Sequence, residues 1–434
     1  LDVDAPLRRR GASTEDREAV LGLMVDATEA LSTQLTPPEM AATPAAFRRT
    51  DSTSAFRPRA STLYSSTELL AAEDRLHGLA DTLTAPVLDP GFVTRAAHRP
   101  PRGSVALAPD QEQALLAVGI SGRVVDVLVG PAGTGTPTPL GALRRAWEAR
   151  YGKGSVVGLA PSAAAADVLA GDLRIPTENT AKWLHEHARG AWQLHPHQLL
   201  IVDEASLAGT RALDRLATHA AEVGAKLLLV GDWGQLTAVE AGGAFGMLVH
   251  ARGVVPELFD VRRFHAPWER EASLRLRVGD EDVVDDYAFH GRVHDGDHDT
   301  ALDLAYRAWR DDRAGGRASI LIAPTVDTVQ TLNDRARTDL ILEGRVSVDG
   351  VRLHDGTLAG IGDAIIARLN DRRLRLGRGW VKNGDRFQVT AHHDDGSLTV
   401  RRADTRARGR LILPAAYVAA NVELGYAVTA HRAQ

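Results

Sequence analysis

Four short apolar runs most constrain the fold of this chain: VVDVLVG at 124–130, SVVGLA at 155–160, LLIVDEA at 199–205 and KLLLVGD at 226–232. Between them lie segments of helical composition, among them LGALRRAWEARY and AAAADVLAGDL. Runs this short and this continuously apolar are strands buried on both faces. Strands separated by helices pair in parallel, so the pattern predicts an α/β domain with helices on both sides of its sheet. The same texture returns at Ser319, where SILIAPT precedes TVQTLNDRARTDLI, and predicts a second such domain. Residues 256–312 read as charged helices, and 346–413 as short strands and turns forming a small β insertion. YAVTA at 426–430 resumes the α/β pattern. Upstream, 15–31 reads as an amphipathic helix, 36–59 as a loop rich in Pro, Ala, Ser and Thr, and 65–83 as a helix capped by Ser66 or Thr67. The resulting division is a helical connector over 1–100, a first domain over 101–265, a helical link over 266–315, and a truncated second domain over 316–434.

Composition narrows the classes. A chain of 434 residues suits two to four domains. With 44% hydrophobic and 25% charged residues it is neither a disordered chain nor a fibre. No apolar run approaches the roughly 18 residues needed to span a bilayer, so membrane insertion is not expected. Cysteine is absent, which excludes disulfides and thiolate metal sites and suits a reducing, cytoplasmic compartment. A formal charge of −5 provides no global basic field, so a nucleic-acid partner would need a local groove. The chain begins at Leu1 rather than Met and ends at Gln434 directly after a patterned stretch. Both ends therefore read as cuts in something longer.

The first strand runs into a glycine-rich turn and a helix. Gly130, Pro131, Ala132, Gly133, Thr134, Gly135, Thr136 and Pro137 follow the spacing G-x-x-x-x-G-K-[ST] of a phosphate-binding loop. Such glycines let backbone N–H groups converge on phosphate oxygens at a helix N-terminus. The match fails at its last two positions: Thr136 brings no cation, and Pro137 brings neither a hydroxyl nor a backbone N–H. A ligand-free turn is the competing reading of the loop alone.

Other motifs follow in register. Asp203 and Glu204 close an apolar strand, the position for a carboxylate that holds Mg²⁺ through water and a second that polarises attacking water. Gln235 in GDWGQL is suited to sensing a terminal phosphate, and Gln111 in LAPDQ to reading an adenine edge. Arg262 and Arg263 offer a guanidinium for phosphate. Trp183 and Trp233 are candidates to stack on bases, with core packing as the alternative. The basic run at 368–380 reads either as a DNA path or as a charge-guarded strand edge.

The order LAPDQ, GPAGTG, LAPSAAAA, VDEAS, GDWGQL, VRRF, YAVTAHRAQ resembles superfamily 1 helicases of the RecD-like branch. It is most similar to the helicase part of TrwC/TraI-type (MobF) conjugative relaxases, over about residues 64–434. The resemblance implies two RecA-like P-loop NTPase domains, the second incomplete here, with ATP and Mg²⁺ between them. It implies 5′-to-3′ translocation on single-stranded DNA, unwinding of plasmid DNA in conjugation, and the conjugative transfer machinery as partner. It casts Gln111 as the adenine reader, Asp203 as the metal residue and Glu204 as the water-activating base. Gln235 and Arg263 become catalytic contacts to phosphate. Ser162 and Thr180 become DNA contacts of the first domain, and Thr429 and His431 those of the second. The departures at Thr136 and Pro137, and a missing C-terminal arginine motif, imply weak or absent hydrolysis. The alternatives are a non-hydrolysing DNA-binding remnant or another P-loop ATPase or kinase.

Overall fold

A computed structural model describes residues 13–37, 43–50, 54–58, 62–100, 106–236, 238, 241–377, 379–403 and 409–430. Its first half is built on a five-stranded parallel sheet. The order is Val125–Val129, Lys226–Gly231, Leu199–Val202, Val156–Ala160, Thr177–Asn179. Every residue of the first three of these strands is buried, including the charged Asp126 and Lys226 among their apolar neighbours. Alternate side chains feed two cores. Val125, Val127, Val129, Leu200, Val202, Leu227 and Leu229 face one, and Leu128, Leu199, Ile201, Leu228 and Val230 face the other. Each such Leu, Ile or Val contributes roughly 1.5–3 kcal/mol by leaving water. Thr177–Asn179 has no apolar signal and is the sheet edge that the sequence pattern misses.

The residues before 100 divide. Thr14–Ala30 is a helix with no buried residue, so the expected apolar face has nothing to cover. Thr67–Asp81 is a helix capped by Ser66, whose Oγ accepts from the Leu69 amide at 3.1 Å. It packs on the helix Thr210–Val223 through Leu76 and through Arg75, which grips Asp214 with bonds of 3.0 and 2.6 Å. Leu88, Val93 and Ala97 enter the opposite core. Residues 67–98 are therefore part of the first domain's packing rather than a connector beside it.

Three helices, Pro267–Arg277, Val283–Phe289 and His298–Ala314, lead into the second half. There Leu321–Ala323 pairs in parallel with Ala427–Thr429, with the helix Val326–Leu342 packed against both. Asn333 on that helix fastens the returning strand. Its Oδ1 accepts from the amides of Tyr426 (3.1 Å) and Ala427 (2.8 Å), and its Nδ2 donates to the Leu424 carbonyl. The β region is a five-stranded antiparallel sheet ordered Leu411–Leu413, Leu398–Arg402, Arg386–His392, Ala364–Ala367, Val422–Leu424. It reaches past the expected end at 413, because Ile365 pairs with Leu424 as well as with Phe387. A hairpin, Asp371–Leu376 with Gly379–Val381, carries the basic run. It meets the first domain through Arg372, whose Nη2 lies 2.6 and 2.7 Å from the Glu178 oxygens, and through the ion pair Lys382–Asp167. Among the described residues no helix is long and apolar enough to cross a membrane.

Candidate functional site

Parallel strands deliver their following loops to one edge of the sheet, where open α/β folds bind ligands. Here the loops after Val125–Val129, Leu199–Val202 and Lys226–Gly231 surround a cavity of about 580 Å³. Its lining holds Gly130 to Gly133, Gly135, Thr136, Pro137, Asp203, Glu204, Gln235 and Arg263. Residues spread over more than 130 positions thus meet in one place, of a size that suits a small ligand.

The glycine loop is fixed at its base by the Gly130 amide, which donates to the Gly231 carbonyl at 2.9 Å. Gly133 and Gly135 take φ of +93° and +77°, a region that side chains disfavour. Gly133 has a second reason to lack a side chain: a Cβ there would lie 2.5 Å from the Arg263 Cβ. The Arg262 amide donates to the Gly133 carbonyl at 2.8 Å, so the arginine loop and the glycine loop are stitched together. Asp110, 4% exposed, holds that arginine loop from the other side by accepting from the amides of Phe259 and Asp260 at 3.2 and 3.3 Å. Thr136 precedes the helix Pro137–Tyr151, with its Oγ1 against Gly130, and Pro137 removes one N–H from that helix's first turn.

Two expected nucleotide contacts also brace the loop internally. Gln111 is fully buried. Its Oε1 accepts from the Ala108 amide and its Nε2 donates to the Thr134 carbonyl, both at 3.2 Å. Thr134 is also fully buried, and its Oγ1 donates to the Pro131 carbonyl at 2.8 Å. Both shape the loop from behind.

The carboxylates stand where the second loop leaves its strand. The Asp203 amide is tied to the Leu159 carbonyl, and Asp203 Oδ1 accepts from the Glu204 amide at 3.0 Å. Burial pushes the Asp203 carboxyl above its usual range, against the pull of that amide, with Asp172 adding to the rise. Burial and then the neighbouring Asp203 push Glu204 up as well. Glu204 has φ of +52°, a left-handed backbone that aims it away from the strand direction. On the third loop, the Gln235 Nε2 donates to Asp232 Oδ2 at 3.3 Å. Asp232 is held in turn by Arg277 Nε at 2.6 Å, and Arg277 also binds Glu257 and lies 4.8 Å from the centre of the Trp233 ring. Asp110 and Arg277 are the supports that motif spacing misses. Asp110 stood beside Gln111 in LAPDQ, whereas nothing in the sequence marks Arg277.

The expected DNA contacts fall apart into separate groups. Ser162 is exposed at the end of one strand and caps the helix Ala163–Leu173 through the Ala165 amide. Thr180 opens the helix Thr180–Ala188 and is 4% exposed. Trp183 is 5% exposed and packs in the domain core with His187 stacked on it, so it has no free face for a base. Trp233 is half-buried between His250 and Arg277. Thr429 ends its strand in the second half, away from the cavity lining, and His431 lies outside the described residues.

A family model described as an AAA domain matches residues 106–298. A probable conjugal transfer protein TraA of Sinorhizobium fredii is 30% identical over 76% of this chain and 29% of its own length. An ATP-dependent RecD2 DNA helicase of Deinococcus radiodurans is 26% identical over 84% of this chain and 49% of its own. A crystal structure of the Pif1 helicase from Candida albicans aligns at 15% identity and a TM-score of 0.44, covering 76% of this chain and 87% of that one. The chain spans about three tenths of the length of the TraA relative and about half that of the RecD2 relative. It is a homologue of the TraA conjugal transfer proteins and of RecD-type helicases, and it fits the helicase region of a TraI/TrwC-like protein.

Proposed function

We propose that this chain is the helicase module of a conjugative DNA-transfer protein, binding ATP in the cavity and single-stranded DNA across the sheet edge, with its hydrolysis impaired. The observation that supports it best is the convergence of the glycine loop, Asp203, Glu204, Gln235 and Arg263 on one cavity. The positive-φ glycines and the helix start behind them suit a phosphate chain. In this reading Arg263 supplies the cation, Gln235 responds to the terminal phosphate, and Glu204 polarises water. Asp203, a half-buried carboxylate on the cavity lining, would hold Mg²⁺. An ion held there would supply charge neutralisation for the phosphates. Ser162, Thr180, Thr429 and His431 serve the strand, and Gln111 braces the loop. The conjugative machinery is the partner and the cytoplasm the compartment.

The donor set fits binding better than turnover. Pro137 cannot be the hydroxyl ligand of the metal, and Thr136 cannot be the lysine on the phosphates. Electrostatic stabilisation of the transferred group is usually the largest catalytic contribution, so the pair of losses leaves a nucleotide binder with negligible turnover. The test is steady-state ATP hydrolysis with and without single-stranded DNA, for this chain and for a Thr136→Lys, Pro137→Thr variant. Nucleotide binding by both and faster turnover only in the variant is the expected result. Strand-stimulated turnover by the unaltered chain at the variant's rate would overturn the impairment, and no nucleotide binding by either would overturn the site.

A further inference from the structure

Arg277 ends the link helix Pro267–Arg277 and reaches the loop that carries Gln235. Its side chain is 12% exposed, and two of its three nitrogens are engaged: Nε on Asp232 Oδ1 at 2.6 Å and Nη1 on Glu257 at 2.9 Å. Nη2 is buried and has no hydrogen-bond partner among the described residues. A buried donor left over is uncommon enough to need a reason. Nε and Nη2 form one edge of the guanidinium and can take both oxygens of a carboxylate together. Arg75 does so with Asp214, Nε to Oδ1 at 3.0 Å and Nη2 to Oδ2 at 2.6 Å. On Asp232 the fork is only half made. The oxygen that Nη2 would take, Oδ2, accepts instead from Gln235 Nε2 over a long 3.3 Å. Asp232 and Gln235 line the nucleotide cavity, and Arg277 stands behind them. Gly234 lets the arginine approach this closely, since a Cβ there would lie 2.6 Å from the Arg277 Cγ.

We infer that Arg277 is a positioning residue that exchanges with Gln235 for Asp232 Oδ2, so that the Gln235 amide is released to the terminal phosphate of a nucleoside triphosphate as the arginine fork closes. The inference rests on the proposed nucleotide site and supplies the device that sets its sensor. In the arrangement seen, each Asp232 oxygen has a side-chain donor and Nη2 is spare. When Gln235 turns to phosphate, Oδ2 loses its donor and Nη2 replaces it, so no buried group is left unpaired by the change. Lysine on the same carboxylate is a point donor and has no second edge to offer. A nucleoside diphosphate gives Gln235 no terminal phosphate and leaves the exchange unmade. The helix that carries Arg277 is also fastened near its start, where Arg270 Nε donates to the Phe264 carbonyl at 2.7 Å, one residue after Arg263. One helix thus holds both phosphate-facing loops, and it leads into the second half of the chain.

The experiment measures equilibrium binding of a non-hydrolysable β,γ-imido ATP analogue and of ADP, each with Mg²⁺, and reads the preference for the triphosphate. Gln235→Ala should lower that preference by roughly tenfold, the loss of one hydrogen bond to a charged group. Arg277→Lys should lower it by roughly fivefold while ADP binding persists, because the charge stays and the fork is lost. Gly234→Ala keeps the arginine but crowds its Cγ, and should act in the same direction. Arg277→Lys combined with Gln235→Ala should lower the preference no further than Gln235→Ala alone, since the two residues act as one unit. A full preference in Arg277→Lys, equal weakening of both nucleotides in Arg277→Lys and Gly234→Ala, or losses that multiply in the combined variant, overturns the exchange. A preference untouched by Gln235→Ala overturns it too, by removing the sensor. Binding of neither nucleotide by the unaltered chain overturns the proposed site, and the exchange with it.

Discussion

Asp126 lies within the first strand and is completely buried, an expensive place for a charge. It survives there because Lys226 Nζ lies 3.0 Å from Oδ2 and Arg252 binds Oδ1. Lys226 in turn donates to the carbonyls of Ser121 and Arg123 at 2.7 and 3.3 Å, so its ammonium is fully engaged. Burial raises the Asp126 carboxyl, and the two cations outweigh it, leaving the group below its usual range. Removing one partner from such a buried set costs roughly 3–5 kcal/mol. Lys226→Met is expected to lose about that much at neutral pH, measured by urea unfolding. The sign with pH follows from the depressed value. The stabilisation is complete above the ordinary carboxylate pKa of about 3.9 and fades as pH falls through the lower folded value. The gap between the two proteins should therefore narrow below about pH 4; equal stability at neutral pH would remove the argument.

Local surroundings decide how far a site residue can be read from sequence. Gln111 stands three residues after Ala108 at a helix start, the spacing of a residue that reaches back to the N-cap amide. That local pattern was legible and competed with the adenine reading. For Trp183 the sequence left stacking and core packing both open, because burial is decided by what packs on a ring and TAKWLHEH does not say that His187 and the core cover it.

At the scale of elements, the central strands were legible because each is a short, mostly apolar run. Strands defined by their partners were not. Thr177–Asn179 is polar and three residues long, and exists because Val156–Ala160 offers it an edge. Val422–Leu424 is set by register with Ile365 to Ala367, not by a pattern of its own. Asn333 supports this last joint, since three backbone groups of 424–427 depend on its amide. Asn333→Ala leaves buried groups without partners at roughly 1–3 kcal/mol each. Hydrogen exchange at the Tyr426 and Ala427 amides should accelerate strongly, with the strands of the first domain unchanged. Unaltered protection at those two amides would show that the pairing with Leu321–Ala323 carries the joint alone.

For the whole molecule, the question is how the two halves meet. Two basic residues of and just after the hairpin reach the first domain: Arg372 pairs with Glu178 and Lys382 with Asp167. Glu178 is drawn below its usual range despite partial burial, by the Asn179 amide, Lys182 and Arg372. It immediately precedes the segment that carries Thr180, so the hairpin closes beside the surface assigned to the strand. Partly exposed ion pairs are worth about 0.2–1 kcal/mol each and are screened by salt, so this clasp should be held only weakly and should open with ionic strength. The chain has no cysteine, so introduced thiols at Arg373 and Lys153 can be labelled without background. Energy transfer between them should fall as salt rises, fall at low salt in Glu178→Arg, and recover in Glu178→Arg combined with Arg372→Glu. Acid should act as salt does, because the pair loses its charge as pH falls through the depressed Glu178 value. Transfer that is indifferent to salt and to both substitutions would mean that apolar packing, not this clasp, joins the halves.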